Sequence, residues 1–134
     1  MLGEKPSMPY KEYLDQAEEE FEATNLLFDE GFYREAISRA YYSMFHAAQA
    51  ILFIKKVYPK SHKGVIQKFG DEFVKPGLLE RKTGQLLSQA ESMRLKADYD
   101  VGVKIDKEEC KRIIKNCEIF LSRVKELIKN LKLS

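Results

Sequence analysis

The stretch that decides the fold is residues 32–57, which read FYREAISRAYYSMFHAAQAILFIKKV. Apolar side chains recur in it every three or four residues, as they do along one face of an α-helix. The opposite side is largely apolar as well, and a helix that is apolar nearly all round is usually covered on every side. We therefore predict a helix with two buried faces, one packed inside the chain and one against a partner chain. The inner face carries Ile37, Tyr41, Met44, Ala48, Ile51 and Leu52.

The second face of this helix holds a cation and an imidazole. Arg39 and His46 are seven residues apart, which is nearly two turns, so their side chains point the same way, about 10 Å apart along the axis. Such a pair can form a phosphate-binding or catalytic site. It can equally consist of a hydrogen-bonded core histidine and an arginine paired with a carboxylate elsewhere in the bundle. The same stripe also carries Tyr42, Ser43, Gln49, Ala50 and Phe53.

A first helix is predicted before this stretch, from about Pro9 to Glu30. Gly31 is expected to end it, because glycine readily adopts the left-handed conformation that closes many helices. The connection to the next helix is then very short, and short connections join antiparallel neighbours. No strand-like alternation of apolar and polar residues competes with these helices.

Capping residues mark the starts of three later helices. Ser61 can cap a short helix, Thr83 can cap the next, and Asp106 with Glu109 resembles a capping box at the start of the last. The fold class predicted is all-α, an up-and-down four-helix bundle with an additional short helix. We expect a single domain over residues 1–134, with its core at about residues 9–132.

Composition and cysteine spacing exclude several classes of protein. A chain of 134 residues that is 44% hydrophobic can bury a core without disulfide or metal support. No apolar run is long enough to span a bilayer and no signal peptide is recognisable, so we expect a soluble, cytoplasmic protein. Cys110 and Cys117 lie too far apart along one helix to bridge each other and lack zinc-site spacing. We expect them to be buried and reduced, and we expect neither a metal nor a cofactor.

The net charge is only +2, but it is unevenly distributed. Residues 10–30 are strongly acidic, which argues against nucleic acid lying along the first helix. A loop beyond the Arg39–His46 helix is basic and could extend a phosphate-binding surface. A charge run is also often only a solvated face, and a loop histidine is often only a surface residue. The basic loop consists of Lys55, Lys56, Lys60, His62 and Lys63.

Three parts of the chain carry a family resemblance. They are residues 33–48, YREAISRAYYSMFHAA; residues 62–66 with residues 73–77, HKGVI and FVKPG; and Arg94 with residues 97–99, ADY. These stretches resemble the HEPN domains, the higher-eukaryote and prokaryote nucleotide-binding family, and most of all its small stand-alone prokaryotic branch. The resemblance spans roughly residues 10 to 130.

The resemblance implies a site and a reaction. HEPN domains include metal-independent endoribonucleases in which an arginine, four to six residues and then a histidine form a site that is doubled across a two-fold dimer. Arg39 and His46, with six residues between them, match that pattern. The products implied are a 2′,3′-cyclic phosphate and a 5′-hydroxyl end. The chain departs from active members at Ala40, where they often carry a polar residue, and from some toxins at Ala48, where those carry a tyrosine.

The resemblance also implies a partner and an alternative function. Prokaryotic HEPN proteins of this size are commonly paired with a separate minimal nucleotidyltransferase protein, as toxin and antitoxin or as two halves of one activity. In the alternative, this chain is a non-catalytic module that binds a nucleotide or the partner, or a purely structural homodimer. RNA or nucleotide contacts are expected from Tyr42, Ser43, Lys55, Lys56, Lys60, His62 and Lys63, and homodimer contacts from Tyr42, Ala50 and Phe53.

Overall fold

The computed structural model describes residues 9–133, which form an all-α fold. Four long helices and one short helix follow one another without a strand in this range, which confirms the predicted fold class. A π-helical turn, Gly70–Val74, continues the short helix. The helices are α1 (Pro9–Asp29), α2 (Tyr33–Ile54), α3 (His62–Phe69), α4 (Arg81–Tyr99) and α5 (Lys107–Leu133).

Helix α2 is the centre of the fold and packs against α1, α3, α4 and α5. The residues predicted to form its inner face are all fully buried. Ala50, predicted to contact a second copy of the chain, is fully buried as well. That prediction was wrong, because the bundle itself covers this position. The second apolar face of α2 is covered in large part by α1 of the same chain.

The end of α1 is closed by Gly31, as predicted. Gly31 has a φ of +85°, and its backbone N–H donates to the Phe28 carbonyl at 3.0 Å while the N–H of Phe32 donates to the Leu27 carbonyl at 2.9 Å. This is the Schellman arrangement, in which two otherwise unpaired carbonyls gain partners. It turns the chain sharply enough for α2 to begin at Tyr33.

The end of α2 has the same geometry but no glycine. Lys56 adopts a φ of +61°, and the N–H of Val57 reaches the Leu52 carbonyl at 3.0 Å. The helix therefore ends at Ile54, before the predicted end near Val57. A lysine carries no sequence signal for the left-handed conformation, which explains the difference. The turn places Lys55 and Lys56 on the surface at the start of the basic loop.

Two of the three predicted caps are present. Ser61 accepts the N–H of Gly64 at 2.9 Å at the start of α3, and Asp106 accepts the N–H of Glu109 at 2.8 Å at the start of α5. Thr83 does not cap α4. That helix begins at Arg81, and Thr83 is a buried residue in its first turn, because its hydroxyl-bearing side chain faces the core rather than the helix end.

The end of α4 is held by a long-range contact from α2. The Arg34 guanidinium donates to the backbone carbonyls of Ala97 and Val103, and at 3.2 Å to that of Asp100. A cation at a helix C-terminus satisfies unpaired carbonyls and interacts favourably with the helix dipole. The loop between α4 and α5 is thereby fixed against the central helix.

The cysteines are buried and free, as predicted. Burial raises the pKa of Cys110 to about 11 and that of Cys117 to about 12, so both thiols stay protonated at neutral pH and are poor nucleophiles. Within residues 9–133, no helix combines the length and apolarity needed to cross a bilayer.

The glycine that closes α1 can be tested against a second glycine in ordinary helical geometry. We expect Gly31→Ala to lower the free energy of unfolding by about 1–2 kcal/mol, since a Cβ is disfavoured in the left-handed conformation. Gly70 has φ −63° and ψ −44°, and a Cβ there meets no atom within 4 Å. Gly70→Ala should therefore be neutral or stabilise by up to about 1 kcal/mol. Chemical denaturation measures both, and equal losses would contradict this account.

Candidate functional site

A buried carboxylate joins Arg39 and His46. Glu20, on α1, is only 6% exposed. One of its oxygens lies 2.7 Å from His46 Nδ1, and the other lies 3.7 Å from an Arg39 guanidinium nitrogen. The Gln16 side-chain amide donates to the second oxygen at 3.2 Å. The two residues predicted from spacing are thus brought together through a third residue on a different helix.

Glu20 determines which imidazole nitrogen of His46 carries the proton. An ionised carboxylate can only accept hydrogen bonds, so the neutral ring must carry its proton on Nδ1 and leave the Nε2 lone pair free. The His46 side chain is 23% exposed and the Arg39 side chain 41% exposed. The site therefore presents a proton acceptor and a guanidinium at the surface, with their shared carboxylate beneath them.

Aromatic rings surround the imidazole. The Tyr13 ring is stacked on His46 with a centroid distance of 6.3 Å and an interplanar angle of 19°. Tyr42 lies 6.4 Å from His46 on another side, and the Arg39 guanidinium is 5.1 Å from the Tyr42 ring centre. Cation–π contact and ring packing restrict both functional side chains. Tyr42, predicted to contact nucleotide, is partly exposed and lies between the guanidinium and the imidazole.

Ser43 does not take part in the surface of this site. It is fully buried, and its hydroxyl donates to the Ala17 backbone carbonyl at 2.7 Å. The prediction that Ser43 contacts RNA or nucleotide was therefore wrong. One residue beyond Tyr42, the helix has turned by about 100°, which points Ser43 into the contact between α1 and α2.

A second polar cluster lies on the other side of Tyr42. His62 Nδ1 is 2.7 Å from the Tyr41 hydroxyl oxygen, and Arg94 lies over the rings of Tyr41 and Tyr42 at 5.0 and 5.6 Å. Arg94 is buried and is paired with Asp98 at 3.2 Å and Glu91 at 3.5 Å. The structure thus brings His62, predicted from the basic loop, close to the Arg39–His46 helix.

A groove leads from His46 towards the basic loop. One hollow, of about 510 Å³, is lined by residues that include His46, Tyr13 and Phe53. A second, of about 270 Å³, shares Tyr13 and Phe53 and reaches Tyr58 and Lys60. The groove therefore has aromatic walls, the acidic residue Glu12 at the His46 end and the cation Lys60 at the other end. Of the other basic residues predicted there, Lys55 and Lys56 lie in the loop and Lys63 lies in the first turn of α3, and all three are exposed.

Residues 9–133 contain no group of three or more histidine, cysteine, aspartate or glutamate side chains arranged to hold a metal ion. The chemistry that these residues can carry out on their own is proton transfer at His46 and anion binding at Arg39 and the lysines. Both suit a phosphodiester substrate.

Glu20 is the functional residue that sequence reasoning missed. It was counted only among the acids of residues 10–30. Its place in the helical pattern differs from theirs, since it lies three residues after Ala17 and four before Thr24, both fully buried. An acid on the apolar face of a helix needs a buried partner, and that signal could have identified it.

Several known proteins are similar to this chain. Residues 10–127 match the family model for the HEPN domain. A protein of Methanocaldococcus jannaschii named "Putative toxin" is 40% identical over 118 residues, which cover 88% of this chain and 87% of that protein. A second protein of that organism with the same description is 36% identical over 86% of this chain and 78% of its own length. A UPF0332 protein of Pyrococcus horikoshii is 44% identical over 61% of this chain and 58% of its own length.

Proposed function

The chain belongs to the HEPN domain family, which confirms the resemblance, and on that premise we propose that it is a toxin-like, metal-independent endoribonuclease. The observation that carries this proposal is the shared carboxylate of Glu20, at 2.7 Å from His46 and 3.7 Å from Arg39. It orients a proton acceptor and a guanidinium towards the same surface. Similarity to proteins named as toxins supports the toxin-like role.

The reaction proceeds by attack of a ribose 2′-oxygen on the adjacent phosphorus. His46 Nε2 accepts the 2′-hydroxyl proton, the new O–P bond forms, and the bond from phosphorus to the 5′-oxygen breaks. The departing oxygen takes up a proton, which leaves a 2′,3′-cyclic phosphate and a 5′-hydroxyl end. In a homodimer, the His46 ring of the second copy supplies that proton when it is protonated on both nitrogens, and it returns to its neutral form as the 5′-oxygen departs.

Arg39 and Glu20 have separate roles in this reaction. The Arg39 guanidinium binds the phosphate oxygens and stabilises the charge that develops on them. Glu20 holds the Nδ1 proton of His46, which keeps the acceptor nitrogen facing the surface and balances the positive charge of the ring once Nε2 has taken a proton. Glu20 is thus a positioning residue rather than a group that touches RNA.

Cleavage without metal tests the proposal directly. We expect the wild-type protein to cleave single-stranded RNA in excess EDTA and to leave cyclic-phosphate ends. His46→Ala should lower the rate by about 10²–10⁴, the usual effect of losing an acid–base group, and Arg39→Ala by about 10²–10³. Glu20→Gln keeps an acceptor for the Nδ1 proton but loses the charge, so its rate should lie between those of wild type and His46→Ala.

Matched controls separate the site from general effects of charge. Glu18→Gln makes the same change on α1 at a residue whose carboxylate pairs with Lys125 instead, and Arg123→Ala removes an exposed cation of α5. Both should cleave at the wild-type rate. If His46→Ala retained activity, or if wild type cleaved none of a varied set of RNAs, the ribonuclease proposal would fail. The non-catalytic nucleotide-binding module would then be the better reading.

We further propose that the protein is a homodimer with α2 near the two-fold axis. Arg39, Tyr42, His46 and Phe53 form a partly exposed strip on α2, and an apolar ring such as Phe53 next to a functional site favours a second copy as its cover.

A charge placed on this strip should divide the dimer. We expect Phe53→Asp to reduce the mass measured by light scattering from dimer to monomer, because a carboxylate is costly in an apolar interface. Ile119→Asp is the control, since Ile119 is an exposed apolar residue of α5 and should leave the dimer intact. A wild-type protein that is monomeric at micromolar concentration would contradict the proposal.

The partner that we propose is a minimal nucleotidyltransferase protein. Helix α1 exposes Asp15, Glu19 and Glu22, whereas the loop after α2 exposes lysines, so the chain offers surfaces of both signs to a partner. Charge-complementary association weakens as salt screens the attraction.

Co-expression with the product of an adjacent gene that encodes a minimal nucleotidyltransferase tests this pairing. We expect the two proteins to co-purify at low ionic strength and to separate progressively as salt is raised. Reversing the acidic surface with Glu19→Lys and Glu22→Lys should weaken the complex at low salt. If the wild-type chains did not associate at low salt, the pairing proposal would be overturned.

A further inference from the structure

His62 is a second histidine beside the proposed ribonuclease site, and the proposed mechanism leaves it without a role. Its ring is stacked on Phe45 at a centroid distance of 4.6 Å and on Tyr41 at 5.6 Å. Part of the side chain is exposed. The Tyr41 and Phe45 rings are themselves neighbours, 5.8 Å apart, so the imidazole packs against both and its orientation is restricted.

The buried hydroxyl of Tyr41 decides the protonation of His62. Tyr41 is fully buried, and His62 Nδ1, at 2.7 Å, is the one hydrogen-bond partner of its hydroxyl within residues 9–133. If the tyrosine oxygen accepted a hydrogen bond from Nδ1–H of His62, the buried hydroxyl proton of Tyr41 would have no acceptor, which is costly. The hydroxyl therefore donates to Nδ1. In the neutral ring, the proton of His62 is then on Nε2.

His62 and His46 flank the same pair of rings. Tyr42 lies 6.4 Å from His46 and 5.7 Å from His62, and Phe45 lies 5.6 Å from His46 and 4.6 Å from His62. Both imidazoles are partly exposed. An RNA strand that is bound at His46 and continues past Tyr42 therefore comes within reach of His62.

The surroundings of His62 keep it neutral at pH 7. Burial lowers the pKa of His62 below its ordinary value of 6.5, and the guanidinium of Arg94 on α4 lowers it further. The Glu91 carboxylate on α4 opposes this effect, and the neighbouring His46 on α2 adds to it. A neutral imidazole with its proton on Nε2 is a hydrogen-bond donor that carries no charge.

We propose that His62 is an RNA-contacting residue of this site, whose Nε2–H donates to an oxygen of a phosphate next to the scissile one. The ligand class follows from its neighbours. His62 is the first residue of α3, where the helix dipole favours an anion, and the adjacent Lys63 is exposed. This proposal rests on the proposed function, which identifies the bound polymer as RNA. His62 then extends the surface at Arg39 and His46 that holds the RNA.

Histidine nitrogen NMR tests the protonation states without any substrate. In the wild-type protein at pH 7.5, we expect His62 to be protonated on Nε2 and His46 on Nδ1. Tyr41→Phe removes the donor to His62 and should raise its pKa, whereas the state of His46 should not change. A wild-type His62 protonated on Nδ1 would overturn the proposal. This measurement does not depend on whether the protein cleaves RNA.

Isosteric variants test the contact itself. A glutamine amide can occupy the place of Nε2, whereas an asparagine amide reaches only that of Nδ1. With a short single-stranded RNA whose 2′-hydroxyls are methylated to prevent cleavage, we expect His62→Gln to bind almost as tightly as wild type. We expect His62→Asn to bind about tenfold more weakly, the loss of one hydrogen bond to a charged group. His46→Ala should leave the proton of the neutral His62 ring on Nε2, because Tyr41 still donates to Nδ1.

The pH dependence of stability separates a folding role from a contact role. Because the folded-state pKa of His62 is depressed, the unfolded chain binds more protons below pH 6.5. The free energy of unfolding therefore falls as the pH falls from 6.5 towards that depressed pKa, and His62→Gln should lack this contribution.

If His62→Gln and His62→Asn changed stability but bound the methylated RNA equally well, His62 would be structural and the proposal wrong. If His62→Asn bound the methylated RNA more weakly than His62→Gln, as predicted, but the wild-type protein cleaved no RNA, only the ribonuclease proposal would fail.

Discussion

A single buried carboxylate constrains both the packing of α1 on α2 and the chemistry of the site. An ionised Glu20 at 6% exposure is tolerated only because His46, Arg39 and Gln16 contact its two oxygens, since an unpaired buried charge is far more costly than a paired one. Two of those partners lie on α2. A shift of α1 by one turn would leave the carboxylate without them, so the functional contacts also hold the two helices in register.

Consecutive tyrosines divide the surface of α2 into two polar clusters. Successive side chains on a helix point about 100° apart, which sends the Tyr41 hydroxyl to His62 and leaves the Tyr42 ring between Arg39 and Arg94. The faces of the Tyr42 ring carry negative charge density that suits both guanidiniums. The two arginines are therefore both held close to one ring. Arg94 keeps its carboxylate partners, Glu91 and Asp98, on its own helix.

The sequence predicted those features that depend on local periodicity. The helices, the glycine at the end of α1 and two of the caps were found because each depends on residues within a few positions of one another. The features that were missed depend on distant pairs, such as Glu20 with His46 and Tyr41 with His62. Periodicity assigns Ala50 to a homodimer contact and Ser43 to a nucleotide contact because it shows that a second face exists but not which helix covers it. Whether a residue on the second face of α2 is buried depends on where α1 packs, and the packing of α1 is determined by the whole bundle.

The two histidines of the site have the same side chain and opposite hydrogen-bonding roles, and their partners cause the difference. A carboxylate is only an acceptor, so Glu20 places the proton of His46 on the buried nitrogen and leaves the exposed nitrogen as an acceptor. A buried phenol must donate, so Tyr41 places the proton of His62 on the exposed nitrogen. Each partner is more buried than the imidazole that it contacts, which means that the core, rather than the solvent, sets the protonation of the surface. A change confined to the core, such as Tyr41→Phe, therefore alters which atoms this surface offers to a ligand without altering any exposed residue.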